Sequence, residues 1–507
     1  MDEENLKIID LTEKGQGIAR SRSGKVVFVP GSVPGDELVA KLRPFKKNIW
    51  LGENPVMVRP SDKRINPPCT FFKNSQSFAK RQSPCLGARA CGGCQVQELE
   101  YGELCRIKEK LVADKLSRLA GLDLNEIDFV PILGMEDPWH YRNHVQLKIA
   151  YDPGKQSFSK GFFSDSSHEL VAHDLCLIGP EDESHIWKAI KQVLDGLGPL
   201  NPLWTYLQTN WRELVIRLGQ NTGDLLIAFT VDGFVRLKSD LKEELAIFTA
   251  RLADLLEKTT SRLKLKSIYF LENQGRGQEL VWGQAFFTEE ILGKLYQIYP
   301  RSFFQVNSRQ AEKMFQVLRN LVTGQTENWG TRGRLFDLYS GTGVIGLSLA
   351  DLFSQTIGVE AFPDSVANAR ENAAINGIKN AEFYLARAED WLLDQEIKPQ
   401  DLIVVDPPRR GLGQKLIDKL LEVQGASLVY ISCNPGSLAS DLRQLKTVWQ
   451  PQFIQTIDLF PWTMGLETVA LLSKLDVDKH INIEIELDEL DLTSAESKAT
   501  YAQINAT

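Results

Sequence analysis

Residues 333–360 read GRLFDLYSGTGVIGLSLADLFSQTIGVE and lead from one apolar strand through a helix to a second strand. The first strand ends at SGTG, where Gly341 and Gly343 permit a sharp turn, and the helix after them offers free N–H groups to a ligand. Glu360 ends the second strand, where a carboxylate can accept hydrogen bonds from both hydroxyls of a ribose. The stretch predicts a nucleoside site in an α/β sheet; a purely structural turn is the alternative.

The same alternation continues beyond this stretch. Apolar strands end at AEFYLA, DLIVVDPP and SLVYISCNP, and helical stretches separate them. This order predicts a doubly wound, Rossmann-like α/β domain over residues 301–474, with ligands bound at the carboxyl ends of its strands. Because only one glycine pair precedes the helix, the turn favours S-adenosylmethionine over a dinucleotide as the cofactor.

Three reactive side chains follow or precede strands of this domain. Asp406 begins a rigid Asp-Pro-Pro-Arg loop, which can hold a carboxylate against a planar base. Cys433 follows the next strand, and a helix starting after it would favour the thiolate. Glu467 precedes the last apolar strand. Taken one at a time, Asp406 could simply start a turn, Cys433 could be a small buried residue and Glu467 could be a surface acid. Their common position at one edge of the sheet instead predicts an active site.

The N-terminal half has a different organisation. Residues 1–60 contain short apolar runs between glycine-rich turns, which predicts an OB-like β-barrel that binds a nucleic-acid strand or, alternatively, has only a solvated structural face. Residues 61–96 are irregular and hold the cysteines. Residues 97–300 are predicted as a central α+β domain, in which 97–122 form a helix that could pack on the catalytic domain. Residues 475–507 are an acidic tail.

Composition excludes several classes of protein. The 507 residues are 43% hydrophobic and 24% charged, no apolar run reaches the roughly 20 residues of a membrane span, and the N-terminus is acidic. We therefore expect a cytoplasmic protein with no membrane partner. The net charge of −8 does not exclude RNA, because residues 476–507 carry eight Asp and Glu against two Lys, which accounts for −6.

Seven cysteines in so long a chain, three of them between positions 85 and 94, indicate a metal site rather than a disulfide framework. From the residues alone, zinc is the stronger interpretation, with three thiolates and one imidazole as ligands: Cys91, Cys94, His173 and Cys176.

Six separated motifs resemble the RNA 5-methyluridine methyltransferase family and occur in the family's order: SFFQVN, DLYSGTG, GVE, DPPRRG, SCNP and a late FPxTxxxE. The stretch FVPGSVPGDE is similar to the family's TRAM module, and C-x5-C-G-G-C is similar to its 4Fe-4S site. Together these two features resemble the branch of the family that acts on 23S ribosomal RNA. The resemblance covers residues 5–474.

The resemblance implies a role for each matching residue. Cys433 is expected to add to C6 of uracil, and Glu467 to remove the proton from C5. The S-adenosylmethionine site is expected to include Gln305, Tyr339, Glu360 and Asp406. The 4Fe-4S ligands are expected to be Cys85, Cys91, Cys94 and Cys176. Cys69 competes with Cys85 for the first of these places, and the family spacing favours Cys85.

This sequence departs from the family in the FPxTxxxE segment, where Trp462 and Gly465 replace the usual histidines, and at Val344, where relatives often carry a polar residue. We expect a monomeric enzyme that methylates C5 of a loop or flipped-out uridine in 23S ribosomal RNA. The rivals are a transfer RNA methyltransferase, a methyltransferase of base amino groups that needs no cysteine, and a non-catalytic RNA-binding or assembly protein that retains the fold.

Overall fold

The computed structural model describes residues 3–72, 91–165, 167–259, 262–329, 333–423 and 425–474. Its strands, in chain order, are β1 Glu3–Lys7, β2 Asp10–Leu11, β3 Gly17–Arg20, β4 Val26–Val29, β5 Glu37–Lys46, β6 Ile49–Arg59, β7 Asp128–Leu133, β8 His144–Asp152, β9 Ser157–Phe163, β10 Leu170–Ala172, β11 Trp211–Leu218, β12 Asp224–Val231, β13 Lys264–Glu272, β14 Gln278–Gly283, β15 Phe287–Ile291, β16 Lys294–Ile298, β17 Arg334–Leu338, β18 Gln355–Glu360, β19 Ala381–Leu385, β20 Leu402–Val405, β21 Ser427–Ser432, β22 Trp449–Ile457 and β23 Glu467–Lys474.

The α-helices of the described residues are α1 Tyr101–Lys115, α2 Glu183–Leu197, α3 Pro202–Asn210, α4 Phe234–Asp240, α5 Lys242–Thr259, α6 Ser308–Trp329, α7 Val344–Leu349, α8 Pro363–Ile375, α9 Ala388–Trp391, α10 Gln414–Glu422 and α11 Pro435–Leu445. In this part of the chain, none of the helices combines the length and the apolar character needed to cross a membrane.

The first six strands form one small sheet in the order β1-β5-β6-β4-β3-β2. Alternate residues of β5 are buried, as expected for strands with one face toward a core. That core consists of small aliphatic side chains: Leu6, Ile8, Ala19, Val27, Val29, Leu38, Ala40 and Leu42. The module is also anchored to the rest of the molecule, because Leu11 and Val33 share a second core with Val96, Leu99 and Leu104.

The central sheet has seven strands in the order β10-β9-β8-β11-β12-β13-β14. Strands β11 and β12 pair antiparallel around the predicted NTGD turn, and β12 pairs in parallel with β13. Every residue of β12 is buried, because this strand lies in the middle of the sheet with α5 and α3 contributing to the same core. The apolar stretches HVQLKIAY, ELVIRLG and DLLIAFT provide the strands β8, β11 and β12 of this sheet.

The C-terminal sheet has eight strands in the order β19-β18-β17-β20-β21-β23-β22-β7. Strands β17 to β21 are parallel neighbours, whereas β23 lies antiparallel between β21 and β22. The chain runs outward from β17 in one direction through β18 and β19, and in the other through β20 and β21. This reversal opens a crevice at the carboxyl ends of β17 and β20, where doubly wound sheets bind their ligands.

Two elements from the N-terminal half complete this C-terminal sheet. Strand β7 pairs in parallel with β22 and forms the sheet's edge. Helix α1, with a π-helical turn after it, packs on α11 through Val112 and Leu116. The predicted helix at 97–122 thus begins at Tyr101 and ends at Ala120, where Gly121 takes a left-handed conformation (φ 65°) and closes it.

Candidate functional site

The glycine turn after β17 lies at the crevice and is shaped by left-handed backbone positions. Tyr339, Gly341 and Gly343 have φ of 65°, 53° and 82°. The N–H of Asp406, after β20, points to the carbonyl of Leu338 at 3.4 Å, so the two loops meet at their first residues. Tyr339 and Asp406 therefore flank the switch point as predicted for ligand-binding residues.

Glu360 is fixed beside this turn by two backbone donors. The N–H of Gly341 lies 3.0 Å from its Oε2, and the N–H of Phe362 lies 2.9 Å from its Oε1. Each carboxylate oxygen keeps a further lone pair for a ligand hydroxyl. Beneath the turn, the buried Asp337 accepts from the N–H of Gly346 at 2.8 Å, and burial raises the pKa of Asp337 to about 7.

Cys433 and Glu467 lie side by side on neighbouring strands. Strands β21 and β23 pair antiparallel with Ser432 opposite Thr468, so the next residues outward, Cys433 and Glu467, face each other at the carboxyl edge of β21. Glu467 is only 5% exposed, and its Oε2 is buried with no hydrogen-bond partner among the described residues. A thiol and an unengaged carboxyl group are thereby brought together at the predicted edge.

Burial and neighbouring charges link these groups electrostatically. Burial first, and then Asp406, raises the pKa of Glu467 well above its usual value, whereas Arg409 lowers it. Burial also raises the pKa of Asp406 to about 7. The pKa of the Cys433 thiol is raised by burial and by Glu467 and Asp406, with Arg409 opposing. The helix that begins at Pro435 does not outweigh burial and the two carboxyl groups, so the pKa of the Cys433 thiol in the free site stays above its usual value.

The loops that carry these groups are tied to each other. Asn434 caps α11 by accepting from the N–H of Gly436 at 2.9 Å, and its Nδ2 donates to the carbonyl of Arg409 at 2.8 Å. One side chain thus holds the Ser-Cys-Asn-Pro and Asp-Pro-Pro-Arg loops in register.

Gln305 is held from the central domain. The Nδ2 of Asn143 donates to the Gln305 carbonyl and to Ser308 Oγ, both at 2.8 Å. Within the described residues no hydrogen bond joins the Gln305 side chain to Tyr339, Glu360 or Asp406, so its role at the cofactor site stays a prediction.

Four cysteines line one cavity between the cysteine-bearing segment and the central domain: Cys69, Cys91, Cys94 and Cys176. Burial raises the pKa of Cys91 to about 11 and that of Cys176 to about 12, so these thiols are protonated unless a cation is bound. Cys85 lies outside the described residues. The family spacing favoured Cys85 over Cys69 as the first cluster ligand. The folded chain shows that Cys69 lines this cavity.

His173 lines the same cavity, between the rings of Phe71 and Phe162 at centroid distances of 5.7 and 5.5 Å. Both of its ring nitrogens are buried without a hydrogen-bond partner in the described part of the chain, and burial lowers its pKa to about 3. In the described ranges, no three Cys, His, Asp or Glu side chains converge closely enough to hold a metal ion. The cavity therefore collects metal-binding donors without forming a closed single-ion site.

The segment before Glu467 contains the two positions that depart from the family pattern. Trp462 is 3% exposed, stacks on Trp139 at 4.5 Å and donates from Nε1 to the carbonyl of Pro138 at 3.0 Å. Its φ of 63° is strained for a residue with a side chain. Sequence reasoning missed Lys108, whose Nζ donates to the carbonyl of Gly465 in this segment at 2.8 Å. Lys108 lies in an ordinary helical pattern and belongs to no motif.

Comparison with known proteins agrees with this geometry. The sequence model of the tRNA (uracil-5-)-methyltransferase family matches residues 229–475, and that of the TRAM domain matches residues 2–53. An uncharacterised RNA methyltransferase of Thermosynechococcus vestitus is 34% identical over 478 residues, covering 92% of this chain and 97% of its own length. One from Halalkalibacterium halodurans is 30% identical over 475 residues, covering 92% and 96%.

A solved structure shares the whole architecture. The tRNA (uracil-54, C5)-methyltransferase of Pyrococcus abyssi, in complex with S-adenosyl-L-homocysteine, covers 92% of this chain and 100% of its own, with a TM-score of 0.67 at 24% identity. The fold is therefore the same in both proteins. From the relatives, the two sequence models and the site at the switch point, we conclude that this chain is an RNA methyltransferase of the S-adenosylmethionine-dependent tRNA (uracil-5-)-methyltransferase family, with an N-terminal TRAM domain.

Proposed function

We propose that this enzyme methylates C5 of a uridine in 23S ribosomal RNA through a covalent bond between Cys433 and C6 of the base. The observation that carries the proposal is the placement of Cys433 opposite Glu467 at the edge of the sheet that also presents Asp406. A nucleophile and a base on one face of a planar ring are what substitution at C5 requires, because C5 of uracil is itself a poor nucleophile.

The steps balance as follows. The Cys433 thiolate adds to C6, and the electron pair of the C5–C6 double bond moves toward the C4 carbonyl, which makes C5 nucleophilic. When bound, S-adenosylmethionine would supply the methyl group that C5 takes up; the bond from this methyl group to the sulfonium sulfur would break, and S-adenosyl-L-homocysteine would leave with the electron pair. Glu467 then removes the remaining C5 proton, the double bond re-forms, and the C6–S bond breaks to release Cys433 as thiolate.

The protonation states in the free site suit the first step. Burial raises the pKa of Glu467 and raises that of Asp406 to about 7, which favours their protonated forms, so they add less negative charge beside Cys433 than two ionised carboxylates would. Arg409, which lowers the pKa of both Glu467 and Cys433, favours their ionised forms. Loss of one proton from the set formed by Cys433, Glu467 and Asp406 then provides either the Cys433 thiolate or the ionised Glu467 base.

We assign the cofactor to the crevice at the switch point. Glu360 has free lone pairs for the ribose hydroxyls, because its two backbone donors occupy only part of its accepting capacity. Tyr339 and Asp406 form the two walls, and Gln305 is placed with them by the family resemblance. The left-handed backbone at Gly341 and Gly343 brings the start of α7 close to the ligand.

We propose further that the cysteine cavity holds a 4Fe-4S cluster. Its donor set fits, since four partly buried cysteines line it. On the cavity lining, the ligands are Cys69, Cys91, Cys94 and Cys176, with Cys85 as the competitor for the first place. Around a single zinc ion each thiolate sulfur bonds at about 2.3 Å, so the four sulfurs must converge on one point. A cluster is larger and holds its thiolates farther apart, which suits the donors of the described chain because they do not converge.

The choice of 23S ribosomal RNA rests on the TRAM domain together with the cysteine cavity. Transfer RNA is the second candidate, because the Pyrococcus abyssi protein of the same fold acts on uracil-54 of tRNA.

The test is incubation of anaerobically purified enzyme with labelled S-adenosylmethionine and either 23S ribosomal RNA or total tRNA, each transcribed with uridine or 5-fluorouridine. Fluorine at C5 blocks the final proton removal, so 23S RNA should give a protein–RNA adduct that survives denaturation, and Cys433→Ala should give none. An adduct with tRNA alone would move the assignment to transfer RNA. Binding of both ligands without any adduct would contradict the covalent route.

A further inference from the structure

Glu467 has no side-chain anchor of its own in the described structure. Its Oε2 is buried and makes no hydrogen bond, so the direction of the carboxyl group depends on the backbone that leads into β23. That backbone is residues 458–466, here called the base segment. Whatever holds the base segment therefore helps to set the position of Glu467, together with the pairing of Glu467 with Ile457 on β22.

Lys108 holds both ends of the base segment at once. Its Nζ lies 2.7 Å from Asp458 Oδ1, 3.1 Å from the carbonyl of Phe460 and 2.8 Å from the carbonyl of Gly465. An ammonium group has three N–H donors, so each of these acceptors takes one. Gly465 is two residues before Glu467, and Asp458 directly follows β22, so the contact closes the segment into a ring around one cation.

The position of Lys108 excludes the usual role of a surface lysine. Its side chain and that of Asp458 are both 0% exposed. Burying an ammonium group is costly unless it is paired and fully hydrogen-bonded, and replacing such a pair by neutral groups is often close to neutral for stability. The Lys108–Asp458 pair is therefore only weak evidence that Lys108 stabilises the fold. The contacts of its ammonium group with Asp458 and two backbone carbonyls require another explanation.

The base segment also lacks a regular structure that could hold its shape. Trp462 has a φ of 63°, and its carbonyl accepts the N–H groups of Gln95 and Val96 at 2.9 and 3.1 Å. The hydroxyl of Tyr101 donates to Asp458 Oδ2 at 2.8 Å. These restraints come from elements earlier in the chain, and the Lys108 ammonium group on α1 joins Asp458, the first residue of the segment, to Gly465, its last residue but one.

We propose that Lys108 is a positioning residue for the catalytic base: it holds the base segment so that the Glu467 carboxyl group faces C5 of the bound uracil. The inference rests on the proposed function, which assigns proton removal to Glu467. Removing Lys108 should slow the step that needs the base, proton removal and release of Cys433, and should leave RNA binding and adduct formation in place. The covalent intermediate should then accumulate on ordinary, unfluorinated RNA.

The experiment compares four variants with the wild type for kcat, KM, thermal midpoint and the fraction of enzyme held as adduct at steady state. Lys108→Met removes the cation. Lys108→Met with Asp458→Asn removes both charges and so restores neutrality, but leaves the two carbonyls without their donor. Glu467→Gln removes the base. Arg334→Met breaks an ion pair with Asp401 at the amino end of β17, away from the site, and serves as the matched stability control.

We expect Lys108→Met to lower kcat by about tenfold to a hundredfold, the size of effect that misplacement of a reacting group produces, with KM little changed and a raised adduct fraction. The double variant should regain thermal stability and keep the kinetic defect, whereas Arg334→Met should lose stability without accumulating adduct. If the double variant recovers kcat together with its thermal midpoint, Lys108 is only structural and the proposal is overturned.

Glu467→Gln separates this proposal from the one it rests on. If Glu467→Gln accumulates adduct and Lys108→Met does not, the positioning role fails and the base assignment stands. If Glu467→Gln does not accumulate adduct although the wild type turns over, the base assignment in the proposed function is wrong, and the positioning role falls with it.

Discussion

Glu467 and Asp406 share a low-dielectric pocket with a thiol, and the proton balance among them should govern the rate. Burial raises the pKa of Asp406 to about 7 and that of Glu467 well above its usual value. A carboxyl group with a raised pKa is protonated at low pH and becomes a base only as the pH rises through that pKa. The same direction applies to Cys433, whose raised pKa delays thiolate formation.

We therefore expect kcat to rise with pH and to fall as the pH is lowered, because Glu467, whose pKa burial and Asp406 raise, must lose its proton before it can act as the base. The measurement is the single-turnover rate of methylated-RNA release over a pH series at saturating S-adenosylmethionine. In Asp406→Asn the carboxylate that raises the pKa of Glu467 is gone, so the rise should occur at lower pH. A rate independent of pH across the neutral range would contradict this account.

The cysteine assignment gives a second residue-level prediction. Because Cys69 lines the cavity with Cys91, Cys94 and Cys176, Cys69→Ser should lower iron and sulfide content per chain far more than Cys85→Ser. Cys105→Ser is the control, since Cys105 lies buried on α1 with its Sγ 4.0 Å from Asp458 Oδ2. Iron and acid-labile sulfide are measured after anaerobic purification. Loss in Cys85→Ser with retention in Cys69→Ser would restore the assignment by spacing.

At the scale of single residues, the sequence predicted which side chains lie at one edge of the sheet, but it did not predict how burial and neighbouring charges shift their pKa values. Cys433, Glu467, Asp406 and Tyr339 follow or precede strands, and strand ends of one sheet meet at one edge, so their proximity could be read from order alone. Lys108 could not be found this way, because it lies 350 residues from Asp458 and a lysine in a helix normally faces water.

The turn between β17 and α7 is the element to which we assign cofactor binding. Gly343 has a φ of 82°, and a Cβ there would lie 2.9 Å from Cζ of Phe383. Gly377 also has a left-handed φ of 64°, but a Cβ there would meet nothing within 4 Å. The two positions share the backbone strain and differ in the clash.

Gly377→Ala should accordingly lower the free energy of unfolding by about 1 kcal/mol, the cost of a left-handed residue, and leave cofactor affinity unchanged. Gly343→Ala should cost about 3 kcal/mol, since overpacking against Phe383 adds to the strain, and should weaken S-adenosylmethionine binding. Urea denaturation and calorimetric titration provide the two readouts. Equal decreases in the free energy of unfolding of the two variants would show that the Phe383 ring moves aside without an energetic penalty.

Elements with strong local patterns were predicted nearly to the residue, and those defined by distant pairing were not. QTIGVE is β18 from first to last residue, because its apolar run is bounded by a turn and by Glu360. Strand β7 escaped prediction, since DFVPIL contains a proline and pairs only with β22, more than 300 residues away. Propensity carries no information about such a partner.

For the whole molecule, the described structure and the family match end at almost the same place. Strand β23 ends at Lys474, which pairs with Trp449, and the family match ends at residue 475. We expect deletion of residues 476–507 to leave kcat for RNA methylation unchanged within about twofold, because no strand of the described sheet is removed.

Deletion from Glu467 onward is the matched control. It removes β23 from between β21 and β22 and should abolish folding of the C-terminal sheet, as seen by circular dichroism. A large fall in kcat for the shorter deletion alone would show that the tail belongs to the active domain.

The edge strand β7 has a consequence for how the protein is made. As the chain leaves the ribosome, residues 128–133 emerge long before β22, and β22 itself needs β23, so the partner arrives only when synthesis is almost complete. The buried face of helix α1 likewise has no partner until α11 has been synthesised. Apolar surfaces of the early segment therefore remain uncovered through most of translation, which makes this chain a natural client for chaperones that hold nascent polypeptides.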